Sequence, residues 1–320
     1  MQVLGQRLLI LEPQYRERVW GGERLRQSNP PIGEAWIAFG PSVVRSGKLS
    51  GRTLDDLMAN DARSLLGTSV ARRYPRRFPI LIKLLDCADW LSVQVHPNDE
   101  QARRLVGPDE FGKTEAWYFL DTGTDGRILA GVKPGVDHAA LAAAIRNGQI
   151  LEVLATVDPR AGDALLLPSG TMHALGPGLL IYEIQQASDT TYRAYDWGRP
   201  QSPGRHLNIE ESVAVARPVG PADRVHAEVT AETGSARAID CALFSVDLVR
   251  VSDSLPWTSN TNGLAFQVIT AIDGSAELSC GDERVELGKF ETAVVTGAAG
   301  AYQVRAIDGQ VVLLRSTVPD

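Results

Sequence analysis

The sequence predicts a mainly β protein in two parts: residues 1–230 as a β-barrel-like domain with a small helical insertion, and residues 231–320 as a second, smaller β-barrel or sandwich. Three observations carry that reading. Apolar and polar residues alternate with a period of two in short runs along much of the chain, the spacing of half-buried strands. Helical spacing is confined to two stretches in the first half. After about residue 230 the chain consists of short β-like runs separated by turn residues at short intervals.

Residues 1–50 are short apolar runs broken by Pro and Gly. Leu8-Leu9-Ile10-Leu11, Arg18-Val19-Trp20-Gly21-Gly22 and Glu34-Ala35-Trp36-Ile37-Ala38-Phe39-Gly40 read as strands and turns. Thr53 with Asp56 resembles a capping box, and Leu54, Leu57, Met58, Leu65 and Leu66 follow at helical spacing. Residues 78–85 are a dense apolar run interrupted by Lys83. Next comes Leu91-Ser92-Val93-Gln94-Val95-His96, stopped by Pro97. Leu91, Val93 and Val95 give it a core face, while Ser92, Gln94 and His96 place a hydroxyl, an amide and an imidazole in a row on the other. Gln94 and His96 would lie roughly 6.5–7 Å apart, so both can reach one small object inside a barrel. The same face equally fits an edge strand turned to water.

Residues 114–120 alternate again and put Glu115, Trp117 and Phe119 on one face. A second helix is expected over about residues 137–146, broken by Asn147-Gly148. Residues 163–167 read as a strand leading into the turn Pro168-Ser169-Gly170, and residues 179–185 as another strand. Residues 197–206 read as a loop, and 217–221 as the linker between the two domains.

Composition narrows the class. Hydrophobic content of 44% and charged content of 22% are those of a soluble globular protein. A formal charge of −7 argues against general binding of nucleic acid or anionic membranes, while leaving room for a local basic pocket. No long apolar run predicts a membrane span, and the apolar stretch 3–11 is interrupted by Gln6 and Arg7, unlike a signal peptide. Cys87, Cys241 and Cys280 are few, odd in number and far apart, which implies reduced thiols in the cytosol rather than a disulfide framework. Cys87 reads as packing. A cytoplasmic monomer or homodimer is expected.

The five histidines are His96, His138, His173, His206 and His226. His96 ends a strand, His173 follows a turn, and Glu115 lies on the inward face of the strand after His96. Imidazole and carboxylate together suit zinc or another divalent first-row ion, and a Gln oxygen can complete the shell. Gln94, His96, Glu115 and His173 therefore form a candidate metal set. Each also has a plainer reading, as a hydrogen-bonded strand-end His or the exposed alternate of an edge strand. His138 and His206 read as solvated.

Several runs resemble blocks of the type I mannose-6-phosphate isomerase family. They are Phe78-Pro79-Ile80-Leu81-Ile82-Lys83-Leu84-Leu85-Asp86, then Leu91 through His96 with Pro97-Asn98-Asp99, then Gly112-Lys113-Thr114-Glu115-Ala116-Trp117-Tyr118. Leu167-Pro168-Ser169-Gly170-Thr171-Met172-His173-Ala174-Leu175-Gly176 is similar to the next block. Glu183-Ile184-Gln185-Gln186-Ala187-Ser188-Asp189-Thr190-Thr191-Tyr192-Arg193-Ala194-Tyr195-Asp196-Trp197 resembles the last, in its short bacterial version. The blocks keep their order from about Arg18 to Arg199, and ordered blocks are far more specific than any one of them. The resemblance implies two cupin-type, jelly-roll-like β-barrels with a helical insertion in the first.

It also implies one zinc ion per chain, held by Gln94, His96, Glu115 and His173. Arg193, Glu183 and Lys113 are then catalytic, with Ser92 and Lys83 lining a sugar-phosphate pocket. The implied reaction is the aldose–ketose interconversion of mannose 6-phosphate and fructose 6-phosphate through an enediol, with Glu183 the leading candidate for the base and Lys113 and the surroundings of His96 its rivals. Taken alone, Arg193 could instead pair with Asp189 or Asp196, and Lys113 could be a surface charge. The competing functions are a non-haem Fe(II) cupin oxygenase, which shares the two-His-one-carboxylate set, and a non-catalytic sugar-phosphate-binding bicupin. The last third departs from the family: Gly288-Lys289-Phe290-Glu291 stands where a Gly-Asp turn is expected, and no His follows His226. A second His-bearing metal site is therefore not expected there.

Overall fold

The computed structural model describes residues 4–320 and is mainly β, so the first residue of the apolar stretch 3–11 lies outside the described residues. Its strands form four sheets, none of which closes on itself among the described residues. Contacts group the chain into two units, one of Tyr15–Ala35 and Leu84–Val225, the other of residues up to Gln14, Trp36–Lys83 and His226–Asp320. The chain thus passes between the units after Gln14, Ala35, Lys83 and Val225.

The unit that carries the metal candidates is built on a five-stranded sheet. Its order is Tyr192–Tyr195, Val93–Val95, His173–Leu175, Ile128–Val132, Leu154–Val157. A seven-stranded sheet includes Asp163–Leu167, Glu115–Asp121 and Leu180–Gln186 as neighbours. Trp117, Phe119, Leu165, Leu167 and Ile181 from the larger sheet pack with Ile128, Ala130 and Leu175 from the smaller. The other face of the five-stranded sheet, with Val93, Val95, Met172 and Ala194, is covered by Leu141, Ile145, Val213 and Val215 of helices His138–Arg146 and Ile209–Val215. Residues of opposite parity on Val93–Val95 thus face two different environments, which frees Gln94 to look inward.

The other unit pairs a six-stranded sheet, from Leu8–Leu11 to Gly234–Asp240, with a four-stranded sheet of Trp257–Asn260, Ala301–Ala306, Ala276–Cys280 and Glu283–Leu287. Val249, Ile269, Val295 and Leu313 of the first pack with Leu278, Leu287, Tyr302 and Val304 of the second. The capping box is present: Thr53 Oγ1 accepts from the Asp56 amide and the Asp56 carboxylate from the Thr53 amide, at the head of helix Leu54–Leu66. Gly67 separates that helix from Thr68–Arg73 at φ +87°, and a Cβ there would meet the Leu264 carbonyl at 2.4 Å, so only glycine fits. These two helices belong to the unit of the C-terminal strands.

Three features differ from the sequence reading. Residues 217–221 lie along the strand Ile128–Val132, where the Val132 amide donates to the Val219 carbonyl at 2.8 Å. Backbone pairing with this interior strand, which Pro and Gly content does not reveal, holds that segment in place. Helices Asp99–Leu105 and Ile209–Val215 were not foreseen. Each is seven residues long, too short to show two full turns of hydrophobic periodicity. No helix among the described residues is long and apolar enough to cross a membrane. The three cysteines are free, and burial holds the Cys87 thiol well above its ordinary range, as suits a packing residue.

Candidate metal centre

Three strands bring the first part of the site together in one row. Gln94, at the middle of Val93–Val95, pairs with Arg193 on one side and with His173 on the other. Residues facing each other across antiparallel strands lie about 4.5–5.5 Å apart, so a guanidinium, an amide and an imidazole stand side by side. Glu115 enters from the other sheet, at the head of Glu115–Asp121, in register with Gln185 and Leu167. His96 sits just past the Val93–Val95 strand. His96, Glu115 and His173 are all buried and offer ligand atoms within 4.8 Å of one another. Glu115 and the Gln94–His96 face therefore do not lie on an exposed edge strand.

Proton positions follow from the partners. His96 Nδ1 lies 2.9 Å from the Thr190 carbonyl, and His173 Nδ1 lies 2.9 Å from the Thr171 carbonyl. A carbonyl only accepts, so each Nδ1 carries the proton and, in the neutral ring, each Nε2 presents a bare lone pair. Burial first, then the Lys113 charge, holds His96 down at about 3, which keeps it neutral. The two bare nitrogens point at the Glu115 carboxylate, at 3.3 Å from His96 to Oε2 and 3.0 Å from His173 to Oε1.

Glu115 is 0% exposed, and neither of its oxygens receives a well-directed hydrogen bond. Burying a carboxylate costs several kcal/mol unless positive charge offsets it. Burial alone would raise its pKa, yet the Lys113 ammonium opposes that, and the carboxyl is held well below the usual range. The Lys113 ammonium, itself buried, lies 3.0 Å from Glu115 Oε2 and 3.1 Å from His96 Nε2. It is no surface charge. Two bare imidazole nitrogens facing an ionised carboxylate are acceptors facing acceptors, an arrangement that a divalent cation satisfies. The donor set fits a first-row divalent ion.

The remaining predicted residues have partners of their own. Gln94 Nε2 lies 3.2 Å from His173 Nε2. Arg193 Nε donates to Ser92 Oγ at 3.1 Å, and its Nη1 donates to the His206 carbonyl at 3.1 Å. Asp196 is engaged elsewhere, by Arg199 at 3.1 Å and Arg205 at 2.7 Å, so no ion pair ties Arg193 to it. Glu183 is buried opposite Trp117, and its Oε2 accepts from the indole N–H at 3.0 Å. Lys83 is buried with its ammonium 5.1 Å from the centre of the Trp36 ring. His138 and His206 are exposed, as expected.

Sequence reasoning did not find several supports. The Thr171 and Thr190 carbonyls orient the rings, but backbone groups leave no side-chain signal. Trp117 stands edge-on to His173 at 5.4 Å while holding Glu183, a double role that its place on the Glu115 face could have indicated. Arg205, whose Nε is buried without a partner, lies in a segment rich in Pro, Gly and Ser that reads only as a loop.

A buried cluster of two imidazoles and a carboxylate, flanked by an amide and basic side chains between two β-sheets, is the donor set of a metal centre within a β protein. Residues 8–115 match the family model for the catalytic domain of type I phosphomannose isomerase. The chain is 37% identical to the mannose-6-phosphate isomerase ManA of Bacillus subtilis, over 92% of this chain and 95% of that one. The crystal structure of the mannose 6-phosphate isomerase from Bacillus subtilis superposes with a TM-score of 0.85 at 29% identity, covering 97% of this chain and 99% of the other. A zinc-bound mannose 6-phosphate isomerase shares the fold with a TM-score of 0.74 at 17% identity, covering 98% and 100% of the two chains. The chain belongs to the type I mannose-6-phosphate isomerase family.

Proposed function

We propose that this chain interconverts mannose 6-phosphate and fructose 6-phosphate, with one zinc ion held by Gln94, His96, Glu115 and His173. The observation that carries the reading is the buried convergence of two bare imidazole nitrogens on the Glu115 carboxylate. Family membership supplies the reaction, and the zinc-bound structural neighbour supports the choice of ion. Zinc, when bound, supplies positive charge that polarises or orients the sugar oxygens.

The isomerisation moves a proton from C2 to C1 of the sugar and needs a base, a nearby acid and a partner for developing negative charge. Glu183 is the proposed base, its buried carboxylate held by the Trp117 N–H. Lys113 holds positive charge beside Glu115 and donates to a substrate oxygen. Arg193 retains two unspent N–H groups on Nη2 and offers a planar fork to the enediolate or phosphate, which a lysine could not reproduce. Its present acceptors, a hydroxyl and a carbonyl, are both neutral. Ser92 and Lys83 line the substrate side.

The two pairs of packed antiparallel sheets support the reading of each unit as a cupin-type, jelly-roll-like body. The division into a catalytic region up to residue 230 and a C-terminal domain without a His-bearing metal site belongs to the same proposal, as do a cytoplasmic location and a monomeric or homodimeric state. The iron-oxygenase reading draws on the same two histidines and carboxylate, but the names of the relatives and the basic groups around the cluster favour the isomerase.

The deciding assay couples fructose 6-phosphate release from mannose 6-phosphate to a dehydrogenase reporter. Dialysis against a chelator should abolish turnover and zinc should restore it. Full turnover in verified metal-free protein would falsify the metal role.

A further inference from the structure

Gln186 ends the strand Leu180–Gln186, one step beyond the register pair of Gln185 with Glu115. Its backbone amide donates to the Thr114 carbonyl at 3.1 Å, and its buried side chain returns to the same residue. Gln186 Oε1 accepts from the Thr114 amide at 3.0 Å. Gln186 Nε2 donates to Asp99 Oδ1 at 2.9 Å, and that carboxylate oxygen also accepts from the Gly112 amide at 2.7 Å. A backbone N–H only donates and a carboxylate only accepts, so its partners fix both ends of this carboxamide. The bonds close a ring, with Gly112, Lys113 and Thr114 on one side and Asp99 and Gln186 on the other. Lys113 stands at the middle of the backbone side, its own amide donating to the Pro97 carbonyl at 2.9 Å. Three consecutive amides are thus held, although none of the three residues belongs to a helix or strand.

We propose that Gln186 and Asp99 are positioning residues for the isomerisation, a side-chain clasp that fixes the backbone at Lys113. This rests on the catalytic reading of Lys113 above. The Lys113 ammonium lies 3.0 Å from Glu115 Oε2 and 3.1 Å from His96 Nε2. It sits on a flexible four-carbon stem, so it keeps both distances only while its own backbone stays in place. A displacement of about 1 Å can cost ~100-fold in rate. The clasp needs an acceptor and a donor on one planar end, which a carboxamide of this length provides. Glutamate has no N–H for Asp99, and methionine has neither group that the ring uses. The clasp therefore joins the end of one strand and the first turn of helix Asp99–Leu105 to the residue that carries the ammonium.

Turnover of mannose 6-phosphate by the zinc-loaded full chain tests this. Gln186→Met keeps the length of the side chain and opens the ring; kcat should fall about 100-fold. Zinc affinity, measured by chelator competition, should fall far less. Gln186→Glu sets two carboxylates against each other and should lose at least as much turnover. Adding Asp99→Asn to Gln186→Glu returns a donor opposite the new carboxylate, and the double variant should recover most of kcat. A role confined to stability predicts a lower Tm with unchanged kcat in folded Gln186→Met, and no recovery in the double variant; either result overturns the proposal. Hydrogen exchange reads the clasp in the unsubstituted protein. The Gly112 and Thr114 amides should exchange as slowly as those of Glu115–Asp121, and rapid exchange of either overturns the proposal whether or not the variants fold. Lys113→Met separates the two readings. If it keeps full turnover, the catalytic role of Lys113 falls and the clasp with it. If it loses turnover while Gln186→Met keeps it, the clasp alone falls.

Discussion

At the scale of single residues, Glu115 is the pin of the centre. Replacing it by Gln keeps the volume, removes the charge that faces Lys113 at 3.0 Å, and leaves that ammonium buried without a carboxylate. Glu115→Gln should therefore weaken zinc binding by more than the 10–100-fold that loss of an orienting partner costs, read by the same chelator competition; near-normal affinity would show that the carboxylate is not a ligand. His96 gives a pH prediction for the metal-free protein. Its folded pKa is depressed to about 3 by burial, with Lys113 adding to the effect, while the exposed ring titrates near 6.5. Between those values the unfolded chain binds a proton that the folded chain refuses. The stability conferred is fully present above about 6.5 and falls as pH drops towards about 3. Glu115, held below its ordinary range, adds a loss in the same direction at the acid end of that window. Metal-free protein should show a falling Tm from pH 7 to pH 4, and His96→Gln should flatten the slope. An equal slope in the variant would assign the acid sensitivity elsewhere.

At the scale of elements, Lys113 is delivered by a backbone crossing rather than by a strand. Helix Asp99–Leu105 begins at Asn98, whose side chain accepts from the Gln101 amide at 2.8 Å while Gln101 accepts from the Asn98 amide at 2.9 Å. The approach to Lys113 runs back over that helix start: the Gly112 amide donates to Asp99 Oδ1 at 2.7 Å, and the Lys113 amide to the Pro97 carbonyl at 2.9 Å. A Cβ on Gly112 would meet Asn98 C and Asp99 N at 2.5 Å, both backbone atoms, so the crossing cannot absorb a side chain without moving. Gly112→Ala should cost ~1–3 kcal/mol in overpacking and, by displacing Lys113, reduce turnover more than zinc content. Asn98→Ala, which removes only the cap, should cost ~1 kcal/mol in urea unfolding with little change in turnover at a temperature where both proteins are folded. Equal turnover in Gly112→Ala and the unsubstituted protein would show that the crossing does not set Lys113.

The same elements show what the sequence could and could not reveal. Alternation placed Ser92, Gln94 and His96 on one face because the opposite face of that strand packs against helices. The strand Glu115–Asp121 is buried on both faces over most of its length, so alternation paired Glu115 with Trp117 and Phe119 but could not say which face held the site. His173 became a neighbour of Gln94 only through a pairing of residues 79 positions apart, a contact that local spacing cannot encode and that ordered family blocks supplied. Arg193 was ambiguous for the same reason: Asp189 and Asp196 are near in sequence, whereas the chosen partners are Ser92 and a carbonyl of the returning loop.

At the scale of the whole molecule, among the described residues one unit holds a cluster of metal-type ligands and the other holds none. The C-terminal strands contain no His beyond His226, and among the described residues His96, Glu115 and His173 form the one group of three or more such ligands within reach of a common ion. The interior of the other unit is closed by different chemistry: Arg315 is paired with Asp247 and lies over the Trp257 ring, and Tyr302 donates to Gln267. Among the described residues, no buried side-chain oxygen or nitrogen of that unit is left without a hydrogen-bond partner, as the Glu115 oxygens are. The expected stoichiometry is therefore one zinc per chain, read by elemental analysis on protein freed of loosely bound metal. The ion should also stabilise the fold by mass action. Free zinc at about 1,000 times its dissociation constant adds ~4 kcal/mol to a state that binds it and adds nothing to one that does not. Glu115→Gln should lose most of that increment while Asn98→Ala keeps it, because the first changes a ligand and the second only a helix end. Two tightly held ions per chain, or an increment that survives in Glu115→Gln, would place the metal outside the His96–Glu115–His173 cluster.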